Sequence, residues 1–319
     1  MGGADSDVAP SGRLTLPVQL LLAFVAGVLY PLAFAPFHLW PLTFASAAVL
    51  FWLLSRAEGQ MLLLAWVFGL GKYAVGVSWI YVSIDQYGGA SPLLAGFMVA
   101  VFVAFMALFC LPIGWFLGKL KASNHNISNS ALAMAFVATW VLMEWMLTWF
   151  LTGFPWLFAG HAMLGTPLQG YAPVIGTFGL SLVVMTITAA AMLSADQAQT
   201  SRVRIGTAGV VLVLVGLGIS LDTQVWTKPT GRYEAGLVQG NIDQAIKWDA
   251  DQRLNNVRKH MQLSEDHWDA DVLIWPEFAL TLYGQDAVAI TNLLNRRGDV
   301  SQTNVVVGMP DVQWQGQER

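Results

Sequence analysis

The stretch PLLAGFMVAVFVAFMALFCLPIGWFLG, residues 92–118, contains no charged side chain and decides the fold class. A helix needs about 17–25 mostly apolar residues to cross the hydrocarbon core of a bilayer. Of the 319 residues, 55% are hydrophobic and only 11% are charged, whereas about 25% of the residues in a soluble domain are charged. The sequence therefore predicts a protein embedded in a membrane.

Further apolar runs lie on both sides of this one. Together they predict seven spans, near residues 18–35, 39–55, 61–84, 92–118, 131–151, 172–194 and 204–221. The first run resembles a signal peptide, because Arg13 precedes it and Ala33-Phe34-Ala35 resembles a cleavage site. It is longer than a signal core, Pro36 follows it directly, and six more runs come after it. We therefore interpret it as a span.

The basic residues between the predicted spans are all on one side. Those on the side of the N-terminus are Arg13, Arg56, Lys119, Lys121, Arg202 and Arg204, and the opposite loops, residues 36–38, 85–91 and 152–171, contain none. Cytoplasmic loops are enriched in Lys and Arg. Residues 1–16 are therefore predicted to be cytoplasmic. The chain after residue 221 is predicted to lie outside the inner membrane, in the periplasm if the source is a Gram-negative bacterium.

The composition changes after the last span. We expect a membrane domain at residues 17–221, a polar linker at 222–231 and a globular domain at 232–319, which with Lys228 holds nine of the sixteen basic residues. In this domain short apolar runs at residues 235–239, 272–275 and 304–307 predict strands. The segments between them have helical periodicity. Apolar strands that alternate with helices are typical of an α/β domain whose sheet is covered on both faces.

The two helices of this domain are predicted from their apolar positions. The first is capped by Asp249, and its inward residues are predicted to be Leu254, Val257, Met261 and Trp268. The second runs from about Asp286 to Arg297 and stops at Gly298, with Ile290, Leu293 and Leu294 inward. His260 and His267 are seven residues apart, too far for a shared metal, and are predicted to lie on the surface.

The carboxyl ends of the strands are the expected place for chemistry in such a sheet. The second strand runs into Trp275-Pro276 and then Glu277, and the first is followed by Lys247-Trp248. Taken alone, Glu277 is also compatible with a solvated turn residue.

Three motifs, one in an outward loop between spans and two after the seven predicted spans, resemble one known family. They are GFPW at residues 153–156, VQGNIDQAIKW at 238–248 and LIWPEFAL at 273–280. From about residue 17 onward the chain resembles the apolipoprotein N-acyltransferases, bacterial inner-membrane enzymes that add the third acyl chain to lipoproteins. The resemblance implies an outer domain like a nitrilase, an αββα sandwich with a Glu-Lys-Cys triad. Glu277 matches the position of the glutamate.

The resemblance also implies a mechanism and partners. A phospholipid would donate the acyl chain, a thiol would carry it as a thioester, and a diacylglyceryl apolipoprotein would accept it. Glu277 would be the general base. No cofactor, metal or nucleic acid is expected: the net charge is −4, and Cys110 is the single cysteine, which excludes a Cys-based metal site.

The sequence departs from the family pattern in two respects. No lysine follows Lys259 and no cysteine follows Cys110, and the chain stops at Arg319 before the further strands and the eighth membrane helix of the family. We therefore expect a C-terminally truncated member. The alternatives are a catalytically inactive homologue that acts at most as a membrane-anchored binding domain, and a transporter.

Several conspicuous residues have two interpretations each. Trp248 is either part of the active-site region or an aromatic packing residue. Trp156 either admits a lipid acyl chain between helices or anchors the protein at the interface. Lys72, inside the third predicted span, either binds a phospholipid headgroup or extends its side chain to the interface. Gly114 and Gly118 form a GxxxG pattern that predicts helix packing.

Overall fold

The computed structural model describes residues 14–124 and 126–310. The chain divides into two compact units, Met1–Trp226 and Thr227–Arg319. Each unit is described by itself. Arg13 and Arg319, which entered the sequence predictions, lie outside the described residues.

The first unit is helical. Its helices are α1 (Leu16–Leu29), α2 (Pro41–Arg56), α3 (Met61–Gly76), α4 (Trp79–Val82), α5 (Pro92–Ala107), α6 (Leu111–Ser123), α7 (Asn129–Met146), α8 (Ala172–Ala195) and α9 (Ser201–Asp222). Proline occupies the first turn of five of them, α1, α2, α5, α6 and α8, where its missing N–H costs no hydrogen bond. Every predicted apolar run overlaps at least one of these helices.

Four helical segments of the described chain are long and apolar enough to cross a membrane. They are Leu16–Ala33, Pro92–Ser123, Pro167–Ala195 and Ser201–Asp222. A fifth is added if Met61–Gly76 and Trp79–Tyr87, bent by 52° at their break, form one span. The first unit is therefore a helical membrane domain with four or five spans by length and composition, fewer than the seven that the sequence predicts.

Glycines allow the closest helix contacts in this unit. A Cβ added at Gly27 of α1 would lie 2.1 Å from the Phe68 carbonyl oxygen of α3, and one at Gly71 would lie 2.2 Å from the Phe24 oxygen. At Gly114 of α6 it would lie 2.4 Å from the Met61 oxygen. Such contacts exclude any side chain, so α3 packs directly on α1 and α6. The predicted packing role of Gly114 is confirmed.

The second unit contains a parallel three-stranded sheet. Its strands are β1 (Ala235–Leu237), β2 (Val272–Ile274) and β3 (Asn304–Val306), in the order β1-β2-β3. The intervening helices are α10 (Gln244–Lys247), α11 (Arg253–Leu263) and α12 (Gly284–Ser301). The predicted strands are confirmed, although each is shorter than its apolar run. Leu273, Trp275, Leu280 and Leu294 lie in the buried core of this unit.

Three helix predictions for this unit are wrong in detail. Leu254 and Leu293 are exposed, at 58% and 52%. Asp249 caps a short 3-10 turn, and α11 begins only at Arg253, which changes the face that the helix presents to the core. Gly298 lies inside α12, where a Cβ would meet the Thr303 oxygen at 2.6 Å, and the helix instead ends at Gln302 with a φ of 59°.

Candidate functional site

The segments that follow the three parallel strands meet at one edge of the sheet. The Leu280 N–H donates to the Gly308 carbonyl oxygen at 3.2 Å, which joins the segment after β2 to the segment after β3. A Cβ at Gly308 would lie 2.8 Å from the Phe278 nitrogen. Only glycine therefore fits beside the turn that carries Glu277.

The backbone around Glu277 is fixed by contacts on both sides. The Ala279 N–H donates to the Pro276 oxygen at 3.1 Å, and Phe278 has a left-handed φ of 49°. The Lys247 Nζ donates to the Glu277 carbonyl oxygen at 3.1 Å. The Glu277 side chain is exposed, and no donor to its carboxylate is found among residues 14–124 and 126–310. The carboxylate is thus accessible to a reactant while its main chain is held.

Trp248 lies beside the same turn. Its ring is 5.6 Å from the Phe278 ring at an interplanar angle of 56°, and it is 43% exposed. The Lys247 Nζ lies 6.0 Å from the Phe278 ring centroid. The structure therefore brings two of the predicted site residues, Trp248 and Glu277, to one place through Phe278, and it adds Lys247.

His260 is not on the surface, contrary to the sequence prediction. It is 2% exposed, its Nδ1 lies 2.7 Å from the Asn256 carbonyl oxygen, and its ring lies 5.2 Å from the ring of Trp275. Burial lowers the pKa of His260, so the imidazole is neutral at pH 7. The helical spacing from Val257 to His260 could have indicated the inward position, but a polar residue type masked that signal.

A small polar cavity lies next to this turn. It has a volume of about 200 Å³ and is lined in part by Asn241, Lys247, His260 and Pro276. The Nε2 of His260 is buried and has no hydrogen-bond partner within the described part of the chain. The cavity offers amide groups, one ammonium group and one neutral imidazole, a set suited to binding a polar or anionic group.

The membrane unit holds a second cluster, around Lys72. This side chain is completely buried, and its Nζ lies 4.8 Å from the ring of Tyr30, 5.3 Å from Tyr73 and 5.6 Å from Trp140. No hydrogen-bond partner for the Nζ is found in the segments that the structure describes. Because none of the side chain is exposed, Lys72 does not extend to an interface, and aromatic faces surround its ammonium group.

Glu144 of α7, which sequence reasoning missed, lies in the same interior and is also completely buried. Its Oε1 accepts from the Trp140 Nε1 and from the Ala159 N–H, both at 2.8 Å. The carboxylate is close enough to Lys72 to interact electrostatically with it. The signal in the sequence was a lone carboxylate within the fifth predicted span. Glu144 therefore bonds the loop that follows α7, at a place where it interacts electrostatically with the buried cation.

That loop carries Trp156. The Trp156 Nε1 donates to the Gly76 carbonyl oxygen at 3.2 Å, its ring lies 5.8 Å from that of Trp79, and it is 45% exposed. It lines a cavity of about 590 Å³ together with, among others, Pro31 and His161. Trp156 is thus fixed to the end of α3, and both of its interpretations, acyl-chain entry and interface anchor, remain compatible with this position. Trp156 and Glu277 belong to different units.

These features define a class of protein: a helical membrane domain followed by a separate unit built on a short parallel sheet, with an accessible carboxylate at the carboxyl edge of that sheet. Similarity of the sequence to known proteins identifies the family. The model of the apolipoprotein N-acyltransferase N-terminal domain matches residues 26–190, and the chain belongs to the apolipoprotein N-acyltransferase family.

Relatives extend the similarity beyond the membrane domain. The apolipoprotein N-acyltransferase of Vibrio cholerae is 35% identical over 302 residues, which cover 94% of this chain and 58% of the relative. Those of Coxiella burnetii and Pseudomonas syringae are 34% and 35% identical, and the matched regions cover 91% of this chain and 60% and 57% of the relatives. The chain thus spans less than two thirds of the length of these relatives.

Proposed function

We propose that this chain carries out part of an acyl transfer in which a fatty acyl chain moves from a phospholipid to the N-terminal diacylglyceryl-cysteine of apolipoproteins. Membership of the family is the observation that carries the proposal. The accessible Glu277 at the carboxyl edge of a parallel sheet supports it, because that edge is where α/β domains bind their substrates. Phospholipid, apolipoprotein and membrane are the proposed partners.

Glu277 acts as the general base in this proposal. It accepts the proton of a thiol supplied by the part of the family's length that these 319 residues do not span. The thiolate attacks the ester carbonyl carbon, a thioester forms, and the proton passes to the departing lysophospholipid oxygen. In the second step the amine attacks the thioester and loses a proton to Glu277, the C–S bond breaks, and the departing thiolate takes that proton to become a thiol again. Lys247 holds the Glu277 main chain, and Trp248 borders the reacting groups.

The proposed topology has seven spans, a cytoplasmic N-terminus and a periplasmic outer domain. Contacts at one end of the membrane unit support it: the Lys121 Nζ donates to the Ser55 and Ala57 oxygens at 2.9 and 2.7 Å, and the Arg204 Nε donates to the Ser194 oxygen at 3.1 Å. The basic residues thus gather at the end of the unit that the positive-inside rule assigns to the cytoplasm.

The proposed domain limits are 17–221, 222–231 and 232–319, with a nitrilase-like αββα sandwich as the fold of the outer domain. The parallel order β1-β2-β3 supports this fold. In this arrangement the end of α9 leads the chain out of the membrane, and the side chain of Gln169 in an outward loop bonds Asp222 there at 3.0 Å.

A chimera tests the function of this chain. In it, the chain replaces the matching part of the Vibrio cholerae relative, which supplies the rest of the family's length. The purified chimera is incubated with phospholipid bearing a labelled acyl chain and with a diacylglyceryl lipopeptide. We expect label on the peptide amine. Binding of the lipopeptide without transfer of label would instead favour a membrane-anchored binding domain, and a folded chimera with neither property would contradict the proposal.

A further inference from the structure

A charged cleft lies at the end of the membrane unit away from Trp156. It has a volume of about 820 Å³ and lies between the turn that joins α2 to α3 and the last turns of α6. Met61, at the start of α3, lines this cleft, whereas Gly76, at the end of the same helix, lines the cavity beside Trp156. The cleft is therefore separate from the cavity beside Trp156.

Three cations line the cleft, Arg56, Lys119 and Lys121, against one carboxylate, Glu58. Lys121 holds the turn through its bonds to the Ser55 and Ala57 oxygens. The Arg56 guanidinium lies 5.0 Å from the ring of Trp52, which fixes its position while its donors stay accessible. Lys119 is exposed and makes no hydrogen bond or ion pair within the described segments. Lys119 is thus free to bind an anion, and the exposed donors of Arg56 can bind one in addition to its electrostatic interaction with Asp196.

The other wall of the cleft is apolar. Leu62 and Trp115 line it and are 46% and 48% exposed. Both belong to apolar helices, α3 and α6, and α6 is part of a segment long enough to span a membrane. At Gly118 the nearest atom to an added Cβ is the Met61 Sδ at 3.7 Å, so the glycine leaves room between the two helices. The cleft therefore has a cationic side, with Arg56 and Lys119, and an apolar side, with Leu62 and Trp115.

We propose that this cleft binds an anionic phospholipid, with the phosphate between Arg56 and Lys119 and an acyl chain along Leu62 and Trp115. A phosphate accepts hydrogen bonds from guanidinium and ammonium groups, and basic pockets between membrane helices on the cytoplasmic side suit anionic headgroups. Free phosphate can make the same contacts as the lipid headgroup, but it has no acyl chain to contact the apolar wall. The proposal does not depend on the acyl-transfer reaction.

Binding to the purified 319-residue chain in detergent tests the proposal. Native mass spectrometry measures the apparent affinity for phosphatidylglycerol and for phosphatidylcholine, and thermal unfolding measures the protection given by each lipid and by inorganic phosphate. We expect preferential binding of phosphatidylglycerol. Each cation near a headgroup contributes about fivefold in affinity, so Arg56→Gln with Lys119→Gln should weaken binding about 25-fold.

Matched variants separate a site from general surface charge. Arg202→Gln removes a cation at the start of α9 that does not line the cleft, and it should leave the affinity nearly unchanged. The double variant Arg56→Lys with Lys119→Arg keeps both charges and should retain lipid binding. Trp115→Ala should weaken the binding of lipid but leave the binding of inorganic phosphate unchanged. An equal loss in Arg202→Gln, equal affinity for the two lipids, or full protection by inorganic phosphate alone would overturn the proposal.

Discussion

Replacement of either of two buried ionisable residues, Lys72 or Glu144, should destabilise the membrane unit strongly. Both side chains are completely buried, so loss of one leaves the other uncompensated in a low-dielectric interior. Breaking a buried pair in this way costs about 3–5 kcal/mol. We expect a loss of that size in the free energy of unfolding for Lys72→Leu and for Glu144→Gln separately.

The double variant distinguishes a coupled pair from two independent residues. Glutamine at position 144 keeps an oxygen that accepts from the Trp140 Nε1 and the Ala159 N–H, and leucine at position 72 fills part of the aromatic cage. When both changes are made, neither position 72 nor position 144 carries a charge, so no buried charge is left uncompensated. We expect the double variant to lose about 1–3 kcal/mol, less than either single variant.

Unfolding of the detergent-solubilised chain, followed by far-UV circular dichroism during titration with a denaturing detergent, measures these free energies. Asp85→Asn is the control, because Asp85 is a partly exposed carboxylate in the same unit and its loss should cost less than about 0.5 kcal/mol. Additive costs of the two single changes, within about 0.5 kcal/mol, would refute the coupling. A small cost of Glu144→Gln alone would refute the role of its charge.

Two further predictions concern topology and pH. In a Cys110→Ala background, single cysteines replace the exposed Leu164 or Gly59, where an added side chain meets no atom within 4 Å. An impermeant thiol reagent applied from the periplasmic side should label the cysteine at position 164 but not the one at position 59. The reverse pattern would overturn the orientation. Because the pKa of His260 is lowered by burial, the folded outer unit binds fewer protons than the unfolded chain, so its stability should fall as the pH drops below about 6.5. Limited proteolysis at pH 5.5 and 7.5 should show this loss in wild type and in a His267→Gln control but much less of it in His260→Phe, and an unchanged pH dependence in His260→Phe would contradict the assignment.

Local patterns predicted the elements of the fold well. The apolar runs gave the positions of the membrane helices, and short apolar segments gave the three strands, because both signals depend on neighbouring residues alone. The number of membrane spans is harder to predict from the sequence. The run at residues 61–84 is divided at a 52° bend, and the run at 39–55 forms a helix, Pro41–Arg56, that is too short to be counted as a span. Neither the bend nor the length of a helix has a strong signature in composition.

The contacts within the sites join residues that are far apart in sequence. The periodicity of apolar residues does not predict such contacts. Glu144 bonds the Ala159 N–H fifteen positions later and interacts with Lys72, on another helix. His260 is buried because the Trp275 ring and the Asn256 oxygen accommodate it. Glu277 was found because a motif and a strand end coincide at one point of the chain.

The role of Glu277 is the central claim, and formation of the acyl-thioester tests it most directly. The chimera is incubated with phospholipid bearing a labelled acyl chain, without acceptor, and the hydroxylamine-sensitive label on the protein is measured over time. Glu277→Gln keeps the size of the side chain but removes the base, so the rate should fall by roughly 10²–10⁴-fold. Glu234→Gln, at another exposed carboxylate of the same unit, should keep the wild-type rate. A near-normal rate of thioester formation in Glu277→Gln would contradict the account and return Glu277 to a solvated turn residue.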